Sequence, residues 1–192
     1  MLILEGADML GKTTFCNALL KTHSGLDHRK CGLPEAELVG AEPWQKMIHA
    51  NTVCDRFAMS EFIYGLLCRG KSNLTPQEWN QLLEETALRG VKWLVWVCPP
   101  EEYLHILAQR YDARREAFSM ELCAKVNQAY WQLLFLGQWN GYRLPTAVHP
   151  VIVNARHGVI KQEWPAEQAA TWAADYSMRL LLEANPSLHA QE

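Results

Sequence analysis

The chain lacks any apolar run that approaches the roughly 20 residues needed for a membrane-spanning helix. Its first apolar segment begins at Leu2, which leaves no room for the charged region that opens a secretory leader. We therefore expect no leader, no membrane anchor and a cytoplasmic location.

The chain also lacks an excess of one charge sign and any regular cysteine spacing. Its formal net charge is −3, and Lys and Arg occur singly or in short groups, so no basic region typical of a duplex-DNA-binding protein is visible. The six cysteines form no C-x-x-C pair and the seven histidines no pair at ligand spacing, so we expect no zinc site. Most of the cysteines lie in apolar segments, where a reduced thiol packs as a small hydrophobic group.

Internal repeats and low-complexity segments are absent as well, and 192 residues with 49% hydrophobic content are typical of one compact domain. We expect a single domain over residues 1–192, with a frayed tail after Pro186. Short apolar runs alternate with segments of helical periodicity, which predicts an α/β fold with a parallel sheet covered by helices.

The pattern predicts the following elements. Strands are expected at residues 2–4, 51–54, 91–98 and 150–154, of which 91–98 is the strongest because it is apolar on both faces. Helices are expected at 12–21, 58–68, 75–90, after Pro100, at 119–138 and at 165–183, and residues 22–40 are expected to form a loop or short helix. The helix start at Thr75 is the clearest, because Thr75 and Glu78 form a capping box with Pro76 at the first helical position.

A complete phosphate-binding motif follows the first predicted strand. Residues 6–13 read G-x-x-x-x-G-K-T and run directly into a predicted helix, which is the context that this motif requires. Such a loop aims backbone N–H groups at a polyphosphate, and the following helix adds the positive end of its dipole. We predict ATP and Mg²⁺ as ligands, with Lys12 on the β- and γ-phosphates and Thr13 on the metal. The predicted ATP-binding residues are Gly6, Ala7, Asp8, Met9, Leu10, Gly11, Lys12, Thr13 and Thr14.

Other features narrow the class of phosphate-binding protein. The chain has no N-K-x-D element of a GTPase, and its strongest strand ends in a cysteine and two prolines rather than in an acidic residue of a motor-type ATPase. Instead, Asp55 and Arg56 follow another apolar strand. Asp55 can accept the proton of an attacking hydroxyl or hold the magnesium shell, and Arg56 can neutralise charge on the transferred group. The alternative is that Asp55 and Arg56 form a surface ion pair. Because they follow an apolar strand and precede an aromatic-rich helix, we expect both to face the phosphate loop instead.

A second cationic group consists of Arg110, Arg114 and Arg115. The spacing places Arg110 and Arg114 on one helical face. An arginine segment that closes over the nucleotide is one interpretation, with catalytic roles for all three arginines. A solvated helix face is the other.

These motifs resemble the thymidylate kinase-like P-loop kinases, in particular the short bacteriophage forms. The matching segments are E-G-A-D-M-L-G-K-T-T at residues 5–14, D-R-F-x-x-S-x-x-x-Y-G at 55–65 and R-G at 69–70, and the resemblance covers roughly residues 1–120. It implies a three-layer αβα P-loop NTPase fold with a mostly parallel central sheet and a helical arginine lid at about residues 110–118. It also implies the host cytoplasm as the location if a bacteriophage encodes the chain.

The same resemblance implies roles for single residues. Asp8 and Asp55 would surround the reacting phosphates, Arg56 would touch the acceptor's phosphate or hydroxyl end, and Asn154 and Arg156 would lie near adenine. Ala41 stands where the family has an arginine that helps to hold a monophosphate acceptor.

The acceptor stays open. Trp44, Phe57 and Tyr64 are candidates for stacking on a pyrimidine, although an aromatic side chain of this kind is more often a core residue. The resemblance adds Arg69 to the acceptor side. Three acceptors are considered: a thymidine-type deoxynucleoside monophosphate or modified analogue, a hydroxymethyl pyrimidine within DNA, and a deoxynucleoside. The sequence leaves open whether the chain forms a homodimer.

Overall fold

The computed structural model describes residues 1–31, 38–112 and 118–153. Five parallel strands form the main sheet in the order β2-β3-β1-β4-β7, with helices flanking it, so the expected α/β class is confirmed. The strands are β1 (Leu2–Gly6), β2 (Asp27–Lys30), β3 (Thr52–Asp55), β4 (Lys92–Val97), β5 (Gln138–Trp139), β6 (Tyr142–Arg143) and β7 (Val148–Ile152). The helices are α1 (Lys12–Thr22), α2 (Glu42–Gln45), α3 (Ala58–Tyr64), α4 (Pro76–Leu88), α5 (Pro100–Arg110) and α6 (Met120–Leu136).

The centre of the sheet is apolar because β1 and β4 are covered on both faces. Every residue of β1 is buried, and β4 is buried from Trp93 to Val97. The ring of Trp93 contacts Phe57 and Trp79 edge-on, each at 5.8 Å between centroids. This aromatic layer ties β4 to the helices over one face of the sheet.

The helix starts that depend on local sequence are confirmed. Thr75 accepts a hydrogen bond from the Glu78 N–H at 3.2 Å, and Glu78 accepts from the Thr75 N–H at 2.8 Å, which completes the capping box of α4. The helix expected at residues 58–68 is present as α3 followed by a π-helical turn at Gly65–Arg69. Gly70, with φ 69°, ends it as expected.

The expectation of a loop or short helix over residues 22–40 is wrong at Asp27–Lys30, which forms β2. All four residues of β2 are exposed, so the strand has no apolar alternation that could indicate it. Its parallel pairing with β3 holds it in place at the edge of the sheet.

Two further differences lie near the end of the described chain. A hairpin, β5 and β6, follows α6 and turns at Asn140 and Gly141, both with positive φ. The last strand is β7 at Val148–Ile152 rather than residues 150–154, and it pairs with β4. The predicted helix at 165–183 and the tail after Pro186 lie outside the described residues. Within the part of the chain that the structure describes, no helix is long and apolar enough to cross a membrane.

Candidate functional site

The residues of the site meet at the carboxyl edge of the sheet because three strands end there side by side. Leu4 of β1 is in register with Asp55 of β3, and Asp55 is in register with Lys30 of β2. The phosphate loop leaves β1 at this edge, and Arg56 leaves β3 beside it. Parallel order thus brings together segments that are about 50 residues apart in the chain, which is where ligands bind in open α/β sheets.

The loop between β1 and α1 has the backbone of an anion-binding nest. Gly6 and Gly11 have φ of 122° and 93°, and Met9 has φ of 63°. A Cβ on Gly6 would lie 2.0 Å from the carbonyl oxygen of Trp96, so only glycine fits there. Helix α1 begins with no side-chain cap and no acidic residue in its first turn, which leaves its first N–H groups for an anionic ligand.

Helix α5 holds this loop in place through two hydrogen bonds to its backbone carbonyls. The Tyr103 hydroxyl donates to the carbonyl of Asp8 at 3.0 Å, and Arg110 Nη1 donates to the carbonyl of Met9 at 3.0 Å. Arg110 is therefore at the phosphate loop, as the sequence predicts. Helix α5 ends at Arg110 and Tyr111 is extended, and the helical face predicted for Arg110 and Arg114 stays a prediction because Arg114 lies outside the described residues.

Lys12 lies buried under the loop with its ammonium group donating to the carbonyl of Ala7. Burial lowers the pKa of Lys12 to about 8, the nearby Arg56 adds to this, and Asp8 and Asp55 oppose it. A phosphate at the nest would favour the charged form of this lysine, since an opposite charge raises an ammonium pKa.

Thr13 and Asp55 provide the ligands that a magnesium ion would need. The Thr13 hydroxyl donates to Asp55 Oδ2 at 3.3 Å. An alcohol and a carboxylate oxygen are hard ligands, and two of them beside a phosphate site suit Mg²⁺, which keeps several waters. The donor set therefore fits the metal predicted from the sequence.

Next to these residues, Asp8, Arg56 and Tyr64 form one cluster. Arg56, in the left-handed region with φ 74°, pairs with Asp8 Oδ1, while the Tyr64 hydroxyl donates to Asp8 Oδ2 at 2.8 Å. The guanidinium lies over the Tyr64 ring, 4.9 Å from its centroid. Burial raises the pKa of Asp8, but the charges of Arg56 and Lys12 outweigh it, and the net pKa is lowered. Asp8 is thus held as a carboxylate.

Beneath that cluster lies Glu5, a fully buried carboxylate that motif reasoning noted only as part of a family match. Its Oε1 accepts from the N–H groups of Phe57 and Ser60 at 2.8 and 3.1 Å. Its Oε2 accepts from the hydroxyls of Ser60 and Tyr130 at 2.5 and 2.8 Å. Burial raises the pKa of Glu5, and these hydrogen bonds oppose the rise. Glu5 therefore joins β1 to the start of α3, directly after Arg56.

The phosphate loop and its neighbours enclose a cavity of about 310 Å³. Its lining includes Lys30, which sequence reasoning missed because β2 was not predicted. The cluster H-R-K at residues 28–30 was a visible signal, but it had no strand to place it. The lining residues are Asp8, Met9, Gly11, Lys12, Thr13, Thr14, Lys30, Asp55, Arg56 and Arg110.

Some predicted acceptor residues lie elsewhere. Trp44 and Phe57 are both 1% exposed and contact each other edge-on at 5.1 Å, so the predicted stacking on a substrate base is wrong for both, which are core residues. Tyr64 faces Arg56 with its ring and Asp8 with its hydroxyl, which makes it a support for that ion pair. Arg69 pairs with Glu61 and does not line the cavity.

Four predicted site residues lie outside the described residues: Arg114, Arg115, Asn154 and Arg156. Their predicted roles at the lid and near adenine stay predictions.

Comparisons with known proteins agree on the fold. No protein-family model and no curated protein sequence matches the chain. Among solved structures, the chain is similar to the YorR protein from Bacillus subtilis in complex with phosphorylated GDP, with 19% identity, a TM-score of 0.66, and coverage of 95% of this chain and 96% of that one. It is also similar to deoxyadenosine kinase from M. mycoides with dCMP and dCDP bound, with 13% identity, a TM-score of 0.50, and coverage of 95% and 98%. These likenesses establish a shared fold.

Proposed function

We propose that this protein transfers the γ-phosphoryl group of ATP, with Mg²⁺, to a thymidine-type deoxynucleoside monophosphate or a modified pyrimidine analogue. The observation that carries the proposal is the meeting of Thr13 and Asp55, 3.3 Å apart, with the Asp8 and Arg56 pair at the mouth of one amide nest. Both similar structures contain nucleotides, which accords with a nucleotide acceptor.

On the donor side, the chain supplies position and charge. The N–H groups of the loop and of α1 hold the phosphates, and Lys12 neutralises the β- and γ-oxygens. Thr13 and Asp55 would hold magnesium, whose charge would offset that of the phosphates. The Thr13 hydroxyl donates its proton to a hydrogen bond with Asp55, so its oxygen lone pairs stay available to the metal. We assign Asp55, the acceptor of that bond, to the metal shell.

On the acceptor side, the carboxylates favour an acceptor that is already ionised. Asp8 has a lowered pKa and is tied to Arg56 and Tyr64, so it is a weak base for removing a proton from a hydroxyl. A monophosphate oxygen needs no such base. Orientation of the acceptor in line with the phosphoryl group then supplies most of the rate.

A second candidate is a kinase that phosphorylates a hydroxymethyl pyrimidine within DNA. The exposure of β2 favours it, because this strand lies at the edge of the sheet, presents His28, Arg29 and Lys30, and reaches the cavity with Lys30. A base flipped out of a strand could enter from that side while its backbone contacts basic residues.

Labelled ATP separates these candidates when it is supplied with dTMP, thymidine, hydroxymethyl-dUMP or DNA that contains the hydroxymethylated base. We expect label on the monophosphates. Label on DNA alone would establish the second candidate, label on thymidine alone would make the protein a nucleoside kinase, and label on none would refute the kinase proposal.

Two substitutions test the assigned roles. Lys12→Ala should lower transfer to every acceptor, whereas Lys21→Ala, at the exposed far end of α1, should leave it unchanged. Asp55→Asn should slow transfer by roughly 10²-fold or more. If magnesium titration shows the same metal requirement in Asp55→Asn as in the wild type, Asp55 is not in the metal shell.

A further inference from the structure

Lys30 is the cation that lines the cavity from the edge strand β2. It is the last residue of β2, and the N–H of the next residue, Cys31, donates to the carbonyl of Asp55 at 3.1 Å, which fixes the strand end against β3. Successive side chains of a strand point to opposite faces. Accordingly, Lys30 lines the cavity whereas its basic neighbour Arg29 does not.

The other three cations of the cavity already contact protein groups. Lys12 donates to the carbonyl of Ala7, and Arg110 to the carbonyl of Met9. Arg56 pairs with Asp8, so its charge is already largely compensated. Across residues 1–31, 38–112 and 118–153, no hydrogen bond or ion pair engages the ammonium group of Lys30. Its positive charge is therefore available to bind an anion in the cavity.

The order of the strands decides which ligand Lys30 meets. The donor phosphates would lie on the nest between β1 and α1. Lys30 ends β2, which is two strands from β1 and hence about 10 Å away across the sheet. Asp55, assigned above to the metal shell, lies between them. An anion next to Lys30 is thus on the side from which an acceptor approaches the transferred group.

We propose that Lys30 binds a phosphate group of the acceptor, so that the acceptor is a phosphorylated molecule rather than a neutral nucleoside. This inference rests on the proposed kinase function and assigns a cation to its acceptor side. The phosphate can be that of a free nucleotide or that of a DNA backbone, since the chemistry is the same.

The test compares Lys30→Gln with Lys21→Gln, a control at an exposed lysine of α1 that does not line the cavity. Steady-state kinetics are measured with ATP varied, then with dTMP, thymidine and hydroxymethylated DNA varied. Lys30→Gln should raise KM for dTMP by about tenfold or more, as expected for a lost charge-assisted contact, while KM for ATP stays within about twofold. Lys21→Gln should change neither, and Lys30→Arg should restore most of the dTMP affinity.

Several results would overturn the assignment. An equal rise in KM for ATP would move Lys30 to the donor, and an equal loss with thymidine would show that no phosphate is involved. A loss confined to DNA would identify the backbone as the source of the phosphate and support the proposal in that form. If the wild type phosphorylates nothing, the kinase function fails. Lys30 is then tested by equilibrium binding, in which Lys30→Gln must weaken dTMP and not thymidine.

Discussion

Replacing Glu5 by alanine should lower the free energy of unfolding by about 1 to 3 kcal/mol. The substitution leaves the N–H group of Phe57 buried without its partner, and such a group costs about 1 to 3 kcal/mol. The N–H group of Ser60 keeps a second acceptor, the carbonyl of Phe57 at 3.1 Å. The hydroxyls of Ser60 and Tyr130 are 2.9 Å apart and can bond to each other, so they add little.

Glu5→Gln separates the hydrogen bonds from the charge. Its amide oxygen can accept from the same two N–H groups, and its NH₂ group can donate to the Ser60 and Tyr130 hydroxyls after they turn. We expect Glu5→Gln to stay within about 1 kcal/mol of the wild type. Glu61→Gln, a change at another fully buried carboxylate that pairs with Arg69 away from the cavity, controls for the general effect of neutralising a buried acid.

Urea unfolding followed by tryptophan fluorescence measures these differences, and thermal unfolding supplements it. For a chain of this length, 2 kcal/mol corresponds to roughly 4 to 8 °C in Tm. The variants should also differ in the rate of phosphoryl transfer. Glu5 holds the start of α3, which begins directly after Arg56. The reasoning is refuted if Glu5→Ala is no less stable than Glu5→Gln.

Three further outcomes are expected. ATP affinity should fall as pH rises through about 8, because the pKa of Lys12 lies there and its ammonium form binds the phosphates. Calorimetric titration with ATP between pH 7 and 9 measures this fall. The Lys12→Arg variant, which stays charged, should show a flatter dependence of affinity on pH. Gly6→Ala should prevent stable folding or lower stability by several kcal/mol, since its Cβ would collide with the backbone of Trp96. The Cβ of Gly11→Ala meets no atom within 4 Å, so this variant should lose only about 1 to 3 kcal/mol through backbone strain. Equal losses of stability in urea unfolding would contradict this difference. Thr75→Ala should cost about 1 kcal/mol through loss of the α4 cap, and an unchanged unfolding midpoint would show that the cap does not limit stability.

Much of the fold could be predicted because the signals are local. The capping box at Thr75 and the apolar run that became β4 are legible within a few residues, and so is the glycine-lysine motif before α1. The turn at Asn140 and Gly141 was equally legible, since Asn-Gly favours the tight hairpin found there. The sequence alone is therefore sufficient to predict this hairpin.

Other features depend on contacts between distant parts of the chain. β2 is fully exposed and exists only through its pairing with β3. Trp44 could have faced a ligand or the core, and packing against Phe57 decided for the core. The pairing of Arg56 with Asp8 joins residues 48 positions apart. No local pattern could therefore indicate that Arg56 is compensated and that Lys30 has no such partner among the described residues.

The hydrogen bonds from α5 to the phosphate loop also orient backbone N–H groups that the helix does not contact. A carbonyl and the N–H of the following residue belong to one flat unit and point in opposite directions. Because Tyr103 and Arg110 hold the carbonyls of Asp8 and Met9, the next two amides along the chain must point away from α5. A change as small as Tyr103→Phe would therefore weaken anion binding by freeing a peptide unit to rotate, with every residue that touches the anion still in its place.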